Sequence, residues 1–253
     1  MAYLDPPFLA IAHRGGSLHP ANIGHENTLE AFQVAADLGY RYFETDVHAT
    51  SDGVLVAFHD NHLDRVTDGA GSIREFGYSQ LRRLRVGGEY RIPTLLELLE
   101  AFPDARFNID IKSEGAERPL AEVIAETGCH ERVLVTSFSW SRLRKFRKLM
   151  DRPVAIGAGS LAVAAQLAAF KAGWAAHFSQ AAALQVPVRR MGIQVVDAKF
   201  VRLAHASGYK VHVWTIDNPA QMGQLIDLGV DGIITDRIDV LKDVLLSRGL
   251  WFV

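Results

Sequence analysis

The sequence predicts a single α/β domain, residues 1–253, of the (β/α)8 barrel class (TIM barrel) with a small insertion between strands two and three. Short β-rich runs alternate with helical stretches along the chain, which is typical of a parallel sheet covered by helices. Eight such runs can be counted, as this barrel requires. The chain length of 253 residues also matches the roughly 250 residues typical of this barrel.

The eight predicted strands are short runs that are either apolar or alternate between polar and apolar residues. In chain order they cover residues 8–13, 42–48, 107–112, 133–138, 154–157, part of 177–186, 211–216 and 232–235. The sixth strand has two possible positions within residues 175–196. The sequence therefore does not fix the position of the sixth strand.

Helical periodicity follows most of these strands. The predicted helices cover residues 28–38, 119–126, 141–150, 161–172, 199–206, 220–228 and 238–246. In the first of them, Leu29, Phe32 and Ala36 fall on one face, as in an amphipathic helix. The run Asn27-Thr28-Leu29-Glu30 resembles a capping box, so part of it is expected to start this helix.

A hairpin is predicted directly after the second strand. Residues 54–59 follow it after only Ser51-Asp52-Gly53, whereas a parallel crossover needs a dozen or more residues. Asp-Gly is instead a hairpin turn signal. The second strand should therefore return antiparallel and bring His59 beside Glu44 and Asp46. Residues 60–93 fit no barrel unit and form the predicted insertion.

Composition and charge exclude several classes of protein. Hydrophobic residues make up 49% and charged residues 22%, the ordinary balance of a globular domain. The net charge of −2, without a run of Lys or Arg, excludes the footprint of a nucleic-acid-binding protein. No apolar stretch reaches eighteen residues, and residues 1–7 lack a signal-peptide pattern. We expect a cytoplasmic protein without stable membrane insertion; the sequence leaves the oligomeric state open.

Acidic residues share one face of two neighbouring strands. Side chains alternate along a strand, so Glu44 and Asp46 face one way in the second strand, as do Asp110 and Lys112 in the third. Polar groups at the carboxyl ends of barrel strands open onto the active-site face. Three carboxylates repel one another there unless a cation lies among them. Hard oxygen ligands suit Mg²⁺ or Ca²⁺ better than zinc.

Two histidines and two basic residues flank these acids. His13 closes the first strand and His59 closes the hairpin. A pair of imidazoles beside carboxylates is expected for general acid–base catalysis near neutral pH. Arg14 offers a planar fork and Lys112 a point charge for a phosphate. The alternative interpretation is structural, with the acids paired to Arg14 and Lys112 in buried salt bridges.

Nine short motifs occur in a fixed order along nearly the whole chain. They are His13-Arg14-Gly15, Glu26-Asn27-Thr28, Glu44-Thr45-Asp46, His59-Asp60, Leu63-Asp64-Arg65-Val66-Thr67, Ile92-Pro93-Thr94-Leu95, Asp110-Ile111-Lys112, Val213-Trp214-Thr215 and Gly232-Ile233-Ile234-Thr235-Asp236. Each motif alone is weak, but the ordered series is specific. In this order it resembles the pattern of the glycerophosphodiester phosphodiesterases, a family that also carries an insertion after the second strand.

The resemblance implies a role for each matching residue at the substrate. His13 and His59 would be the catalytic acid–base pair. Arg14 and Lys112 would bind the phosphate, and Trp214 would wall the substrate pocket. The implied reaction is hydrolysis of a small-molecule glycerophosphodiester to glycerol 3-phosphate and an alcohol. It leaves open whether water attacks directly or a substrate hydroxyl attacks first to give a cyclic phosphate.

The resemblance also implies a cofactor, a divalent cation (Mg²⁺ or Ca²⁺) held by Glu44, Asp46 and Asp110. The third ligand is commonly Glu in this family, and the shorter Asp110 would shift the metal preference or draw the metal toward the third strand. The loop 16–25 is longer than usual in the family. Three further histidines are therefore candidates for contact with the site, namely His19, His25 and His48.

Two other functions remain as alternatives. A phospholipase D-like or inositol-phospholipid phosphodiesterase on the same barrel is one, because Asp110-Ile111-Lys112 resembles the sphingomyelinase D-like relatives. The start His13-Arg14-Gly15 argues against it. A catalytically inactive binding protein is the other, since a fold does not fix a function. The complete set of two histidines and three acids argues against inactivity.

Overall fold

The structure, a computed structural model, describes residues 2–175, 177 and 180–251. Its strands are β1 (Leu9–His13), β2 (Tyr42–Ala49), β3 (Leu55–Ala57), β4 (Arg106–Ile111), β5 (Val133–Thr136), β6 (Ala155–Ile156), β7 (Ala183–Val186), β8 (Arg189–Arg190), β9 (Ile193–Gln194), β10 (Lys210–Val213) and β11 (Gly232–Thr235). Its α-helices are α1 (Leu29–Asp37), α2 (Tyr78–Leu81), α3 (Leu95–Ala101), α4 (Glu117–Thr127), α5 (Trp140–Leu149), α6 (Ser160–Lys171), α7 (Ala198–Ala206), α8 (Pro219–Asp227) and α9 (Ile238–Ser247).

Within the described residues, eight strands run parallel in the order β6-β5-β4-β2-β1-β11-β10-β7. The ends of this sheet meet where Gly157 forms a parallel bridge with Ala183. Each barrel strand is followed by a helix, so the predicted (β/α)8 barrel is confirmed. Its sixth strand is β7, at the end of the predicted range 177–186; residues 178 and 179 of that range lie outside the described residues.

Apolar side chains fill the barrel at the end opposite the strand carboxyl ends. Leu9, Ile11 and Leu134 form part of this inner cluster. Tyr3 closes it from below: its ring meets that of Tyr42 edge-on, with the centroids 5.2 Å apart. The Tyr42 hydroxyl donates to the Tyr3 carbonyl at 2.9 Å. With this end packed and dry, the polar faces of the strands can open only at the other end.

The predicted hairpin is present as the antiparallel pair β2 and β3, with Val47 opposite Ala57. Its turn contains Gly53 at φ +82°, a left-handed conformation that favours glycine. Beyond β3, the Phe58 amide donates to the Asp46 carbonyl at 2.9 Å. This bond holds the following residue, His59, at the mouth of the barrel, as the turn chemistry predicted.

The insertion, residues 60–93, packs on a small core of its own. Leu63, Ile73, Leu81 and their neighbours are buried against Val56 and Phe58 from the hairpin. The insertion is thereby attached to the antiparallel extension of β2. Its position places residues 60–65 beside the carboxyl ends of the barrel strands.

Two helices and one hairpin were missing from the sequence-based prediction: α2, α3 and the pair β8–β9. Helix α3 begins with a reciprocal capping box in which Thr94 and Glu97 bond each other's backbone amides. At α1 the predicted box is wrong: Thr28 caps the Ala31 amide at 3.1 Å, but Glu30 lies one position too early to return the bond. None of the helices in the described part of the chain is long and apolar enough to span a membrane.

Candidate active site

A cavity of about 490 Å³ opens at the carboxyl ends of the barrel strands. Eight residues predicted for the site all line it: His13, Arg14, Glu44, Asp46, His59, Asp110, Lys112 and Trp214. Strand register explains much of this convergence, because His13 pairs with Glu44 and Asp46 pairs with Asp110 across neighbouring strands. Paired residues of parallel strands point to the same side of the sheet, so these side chains enter one space.

His13 is held by a carboxylate at one ring nitrogen. Its Nδ1 lies 2.7 Å from Asp236 Oδ1, which also accepts a bond from the Ser17 hydroxyl at 2.6 Å. An ionised carboxylate only accepts, so Nδ1 carries the proton and Nε2, 3.7 Å from Glu44 Oε2, is the atom left for proton transfer. Burial alone would lower the His13 pKa, but the charges of Glu44 and Asp236 raise it above its ordinary value.

His59 is held in the same way from the other side of the cavity. Its Nδ1 lies 2.6 Å from Asp60 Oδ1, and Asp60 Oδ2 accepts from Arg65 Nε at 2.5 Å. The ring of His48 lies behind it and donates to the His59 backbone carbonyl at 3.1 Å. Burial would raise the Asp60 pKa, but the bonds from Arg65 and His59 lower it to about 2. Asp60 therefore stays ionised and keeps His59 oriented.

Arg14 connects the His13 side of the cavity with the His59 side. Its Nε lies 3.1 Å from Asp46 Oδ2, and its Nη1 donates to Glu26 at 3.1 Å. Glu26 in turn accepts two bonds from Arg65, at 2.7 and 3.0 Å. Asn27, at φ +60°, donates to the same Asp46 oxygen at 3.2 Å. A continuous chain of ion pairs thus runs from Asp46 through Arg14, Glu26 and Arg65 to the partner of His59.

Lys112 lies between two acids of neighbouring strands. Its Nζ is 2.9 Å from Asp46 Oδ1 and 2.6 Å from Asp110 Oδ2. Both basic residues predicted to bind phosphate therefore also form the buried salt bridges of the structural interpretation. The two interpretations are compatible in one site, because ion pairs that fix a guanidinium or an ammonium also set the place where it meets a phosphate.

Burial gives the three carboxylates different protonation behaviour. Burial and the neighbouring charge of Asp46 raise the Glu44 pKa to about 7. Burial also raises the pKa of Asp110. For Asp46, Lys112 and Arg14 overcome the effect of burial and lower the pKa. The surroundings of Glu44 and Asp110 therefore disfavour the charged carboxylate, whereas those of Asp46 favour it.

The donor chemistry of this group fits a hard divalent cation. Asp110 Oδ1 is buried and has no hydrogen-bond partner among residues 2–175, 177 and 180–251. Carboxylate oxygens from Glu44 and Asp46 lie beside it on the same wall of the cavity. In that described part, no group of three or more His, Cys, Asp or Glu side chains has the spacing of a formed metal site. Between Asp46 and Asp110 lies the ammonium of Lys112.

The chain matches the model of the glycerophosphoryl diester phosphodiesterase family over residues 13–240, a segment that contains all eight predicted site residues. A probable glycerophosphodiester phosphodiesterase 2 of Mycobacterium tuberculosis is 42% identical over 96% of this chain and 92% of its own length. A glycerophosphodiester phosphodiesterase of Caldanaerobacter subterraneus is 32% identical over 95% and 99%. The chain belongs to the glycerophosphodiester phosphodiesterase family.

Solved structures agree with the family assignment in fold. A phosphodiesterase of Oleispira antarctica, solved with the product sn-glycerol-3-phosphate, is 27% identical and superposes with a TM-score of 0.75 over 94% of this chain and 96% of its own. A putative family member from Silicibacter pomeroyi, 22% identical, superposes with a TM-score of 0.78 over 98% of both chains. The chain is therefore an enzyme of this family, a phosphoric diester hydrolase, and the phospholipase D-like alternative is not favoured.

Several supporting residues of this family member were not assigned roles from its sequence. Asp236 lies 223 positions from the histidine it holds, although its place at the end of a barrel strand was a usable signal. Asp60 and Arg65 occurred in motifs without a stated role. Of the three further histidine candidates, none lines the cavity: His48 supports His59 from behind, while His19 and His25 make other contacts.

A polar layer forms the floor of the cavity inside the barrel, and sequence analysis assigned it no role. Asn108 donates to Gln185 at 3.3 Å, and Gln185 Nε2 lies 3.2 Å from His212 Nδ1. His212 is fully buried, and burial lowers its pKa to about 4. This imidazole is therefore neutral at physiological pH and separates the charged cavity from the apolar base of the barrel.

Proposed function

We propose that this enzyme hydrolyses small-molecule glycerophosphodiesters to glycerol 3-phosphate and an alcohol, with the help of a divalent cation. One observation supports the proposal most directly: two imidazoles, each held by a carboxylate at Nδ1, line the same cavity as three buried acids. The relative from Oleispira antarctica, solved with sn-glycerol-3-phosphate as its product, supports the proposed product.

His13 and His59 act as the acid–base pair in this mechanism. One imidazole removes the proton from the attacking hydroxyl, either of water or of the substrate, as its oxygen bonds to phosphorus. The other gives a proton to the alcohol oxygen as the bond between that oxygen and phosphorus breaks. Asp236 and Asp60 keep the rings in the orientation and tautomer that leave Nε2 available for both transfers.

Arg14 and Lys112 bind the phosphate, and Trp214 walls the pocket for the rest of the substrate. The guanidinium carries five N–H groups, so it can donate to phosphate oxygens while Nε and Nη1 remain with Asp46 and Glu26. Trp214 packs edge-on against Phe138, with the ring centroids 5.9 Å apart. This pair gives the cavity an aromatic border.

Glu44, Asp46 and Asp110 are the residues that would hold a divalent cation, Mg²⁺ or Ca²⁺. When bound, such a cation polarises a phosphoryl oxygen and lowers the pKa of a coordinated hydroxyl. Lys112 shares Asp46 and Asp110 with that function, so its ammonium would have to give way in part. Asp110 would supply the third carboxylate from β4, with a shorter side chain than the Glu common in the family.

The test is release of glycerol 3-phosphate from glycerophosphodiesters of ethanolamine, choline and glycerol, measured with Mg²⁺, with Ca²⁺ and with a chelator. We expect release with metal and none with chelator. The Asp46→Asn variant should lose both activity and the rise in melting temperature that the metal causes. The matched variant Asp104→Asn, which alters an exposed acid, should keep both.

Two outcomes would contradict the proposal. Folded, metal-loaded enzyme that releases no glycerol 3-phosphate from any diester would refute the reaction. Release that the chelator leaves unchanged would refute only the cation. The cytoplasmic location, the absence of a nucleic-acid partner and the absence of stable membrane insertion stay predictions from composition.

A further inference from the structure

The cavity has a second wall that the proposed reaction does not use. Its charged wall consists of the seven titratable residues His13, Arg14, Glu44, Asp46, His59, Asp110 and Lys112. Its apolar wall comes from α6 and from the segment that contains β8 and β9: Leu161, Val163, Ala164, Leu167, Pro187, Met191, Ile193 and Val195. Among the described lining residues of these two elements, only Ser160 and Arg190 are polar.

The apolar wall contains large hydrophobic side chains that are exposed to water. Met191 is 93% exposed, Leu161 74% and Ile193 58%. Ten large hydrophobic residues in the described part of the chain are exposed, and four of them line this cavity, these three and Phe138. Scattered exposed apolar residues are normal, but a contiguous group inside a cleft marks a place where an apolar ligand binds.

Helix α6 presents an apolar face to the cavity in addition to its buried face. Gln166, Ala169 and Phe170 are buried on the face toward the barrel. Leu161, Ala164 and Leu167, spaced three residues apart, lie on the cavity side. Its twelve residues include one charged side chain, at the last position, whereas a surface helix normally keeps a polar face for water. The cavity face of α6 therefore lacks the polar residues that water alone would favour.

We propose that the apolar wall binds an aliphatic chain on the alcohol part of the substrate. The preferred substrate is then a glycerophosphodiester whose alcohol carries an aliphatic chain. This inference rests on the proposed function and specifies the alcohol. The wall continues directly from the aromatic border at Phe138 and Trp214, so one molecule can contact both walls at once.

The two walls also fix which end of the substrate lies where. The glycerol part carries two free hydroxyls, which need hydrogen-bond partners when they leave water. Such partners occur on the charged wall and are nearly absent from the apolar wall. The alcohol part therefore extends toward α6, while the glycerol part stays with the acids. A cavity of about 490 Å³ falls in the range that holds drug-sized ligands, which exceed a glycerophosphate group.

A homologous series of substrates tests this inference. Glycerophosphodiesters of ethanol, butanol, hexanol and octanol share the same glycerol and phosphate and differ only in chain length. We expect kcat/KM for glycerol 3-phosphate release to rise about two- to fourfold for each methylene that the apolar wall covers. The values of kcat/KM are measured below the concentration at which the octyl diester forms micelles, and the octyl diester is also assayed above that concentration.

A charge placed in the wall should remove this dependence. Leu161→Glu changes a largely exposed residue, so folding should survive, and the ratio of octyl to ethyl kcat/KM should fall toward one. Ile193→Glu on the opposing hairpin should act in the same direction. Leu246→Glu is the matched control, because Leu246 is 53% exposed on α9 and does not line the cavity. Its ratio should equal that of the unmodified enzyme.

The outcomes separate this inference from the proposed function. No release from this series or from the ethanolamine, choline and glycerol diesters refutes the proposed reaction, whereas release from those three diesters alone refutes only the apolar-chain assignment. Equal kcat/KM for ethyl and octyl diesters, with normal turnover of both, refutes only the apolar-chain assignment. Cleavage of the octyl diester only above its micelle concentration also overturns it, since the exposed residues would then serve contact with a lipid surface.

Discussion

The two walls of the cavity are held in place by different forces. On the charged wall the side chains proposed for acid–base catalysis and phosphate binding have partners: His13 has Asp236, His59 has Asp60, and Arg14 has Asp46 and Glu26. On the apolar wall, packing and strand pairing of the backbone determine the positions of the side chains. Proton transfer requires an angle and a distance, and directional bonds supply both. Binding of an aliphatic chain requires only area, which non-directional burial supplies.

Removing either imidazole should abolish the chemistry of the charged wall. We expect His13→Ala and His59→Ala each to lower kcat by about 10²- to 10⁴-fold, because each removes one proton transfer. Steady-state kinetics with a water-soluble diester measures the loss, and thermal unfolding checks that the variants fold. His177→Ala, which removes an exposed imidazole that does not line the cavity, is the control. A variant with more than a tenth of normal turnover would refute that residue's role.

The polar layer at the floor of the cavity, which contains His212, should make the stability of the fold depend on pH. His212 has a folded-state pKa of about 4, below that of an unfolded histidine, so the unfolded chain binds more protons between these values. Stability should therefore fall as the pH drops through this window, by about 3 kcal/mol at most from this residue. Urea unfolding at several pH values measures the slope. His212→Gln should flatten it and His177→Gln should not; equal slopes in both would contradict the prediction.

Arg65 should have a smaller effect, because it touches His59 only through Asp60. Arg65→Lys cannot span both Glu26 and Asp60 with one planar fork, so we expect kcat to fall about tenfold with little change in KM. Loss of the bond also lets the Asp60 pKa rise toward its ordinary value. The acid limb of the pH–rate profile should then move to higher pH.

Arg74→Lys, a change of an exposed arginine in the same insertion, is the control for this variant. A profile that keeps its acid limb while kcat falls would show that Arg65 supports the fold of the insertion and does not position His59. Unchanged kcat would show that the enzyme does not need the bond from Arg65 to Asp60.

Residues within one strand or turn were predictable because local geometry determines them. The alternation in β2 placed Glu44 and Asp46 on the inner face, and Asp52-Gly53 predicted the turn that returns His59. The capping of α1 was wrong because the box depends on a spacing of three, and the sequence offers Glu30 one residue too early. Such errors are local and leave the topology intact.

Long-range partners were not predictable in the same way. The bond from His13 to Asp236 joins the first and last strands, and only closure of the barrel brings them together. The apolar wall was missed for a different reason. The cavity face of α6 carries the same residue types as a buried face, and two-residue strands such as β8 and β9 leave no periodicity to detect.

The junction between β6 and β7 is the seam at which the barrel sheet closes. Among the described residues it contains the bridge between Gly157 and Ala183 and two flanking backbone bonds, whereas β2 and β4 are paired over six residues. The seam borders the apolar wall through Ala158 and lies across the cavity from β1, β2 and β4. We expect mutations there to change the apolar side of the cavity more than the side formed by β1, β2 and β4. The proposed preference for the alcohol would then change while the residues proposed for catalysis stay the same.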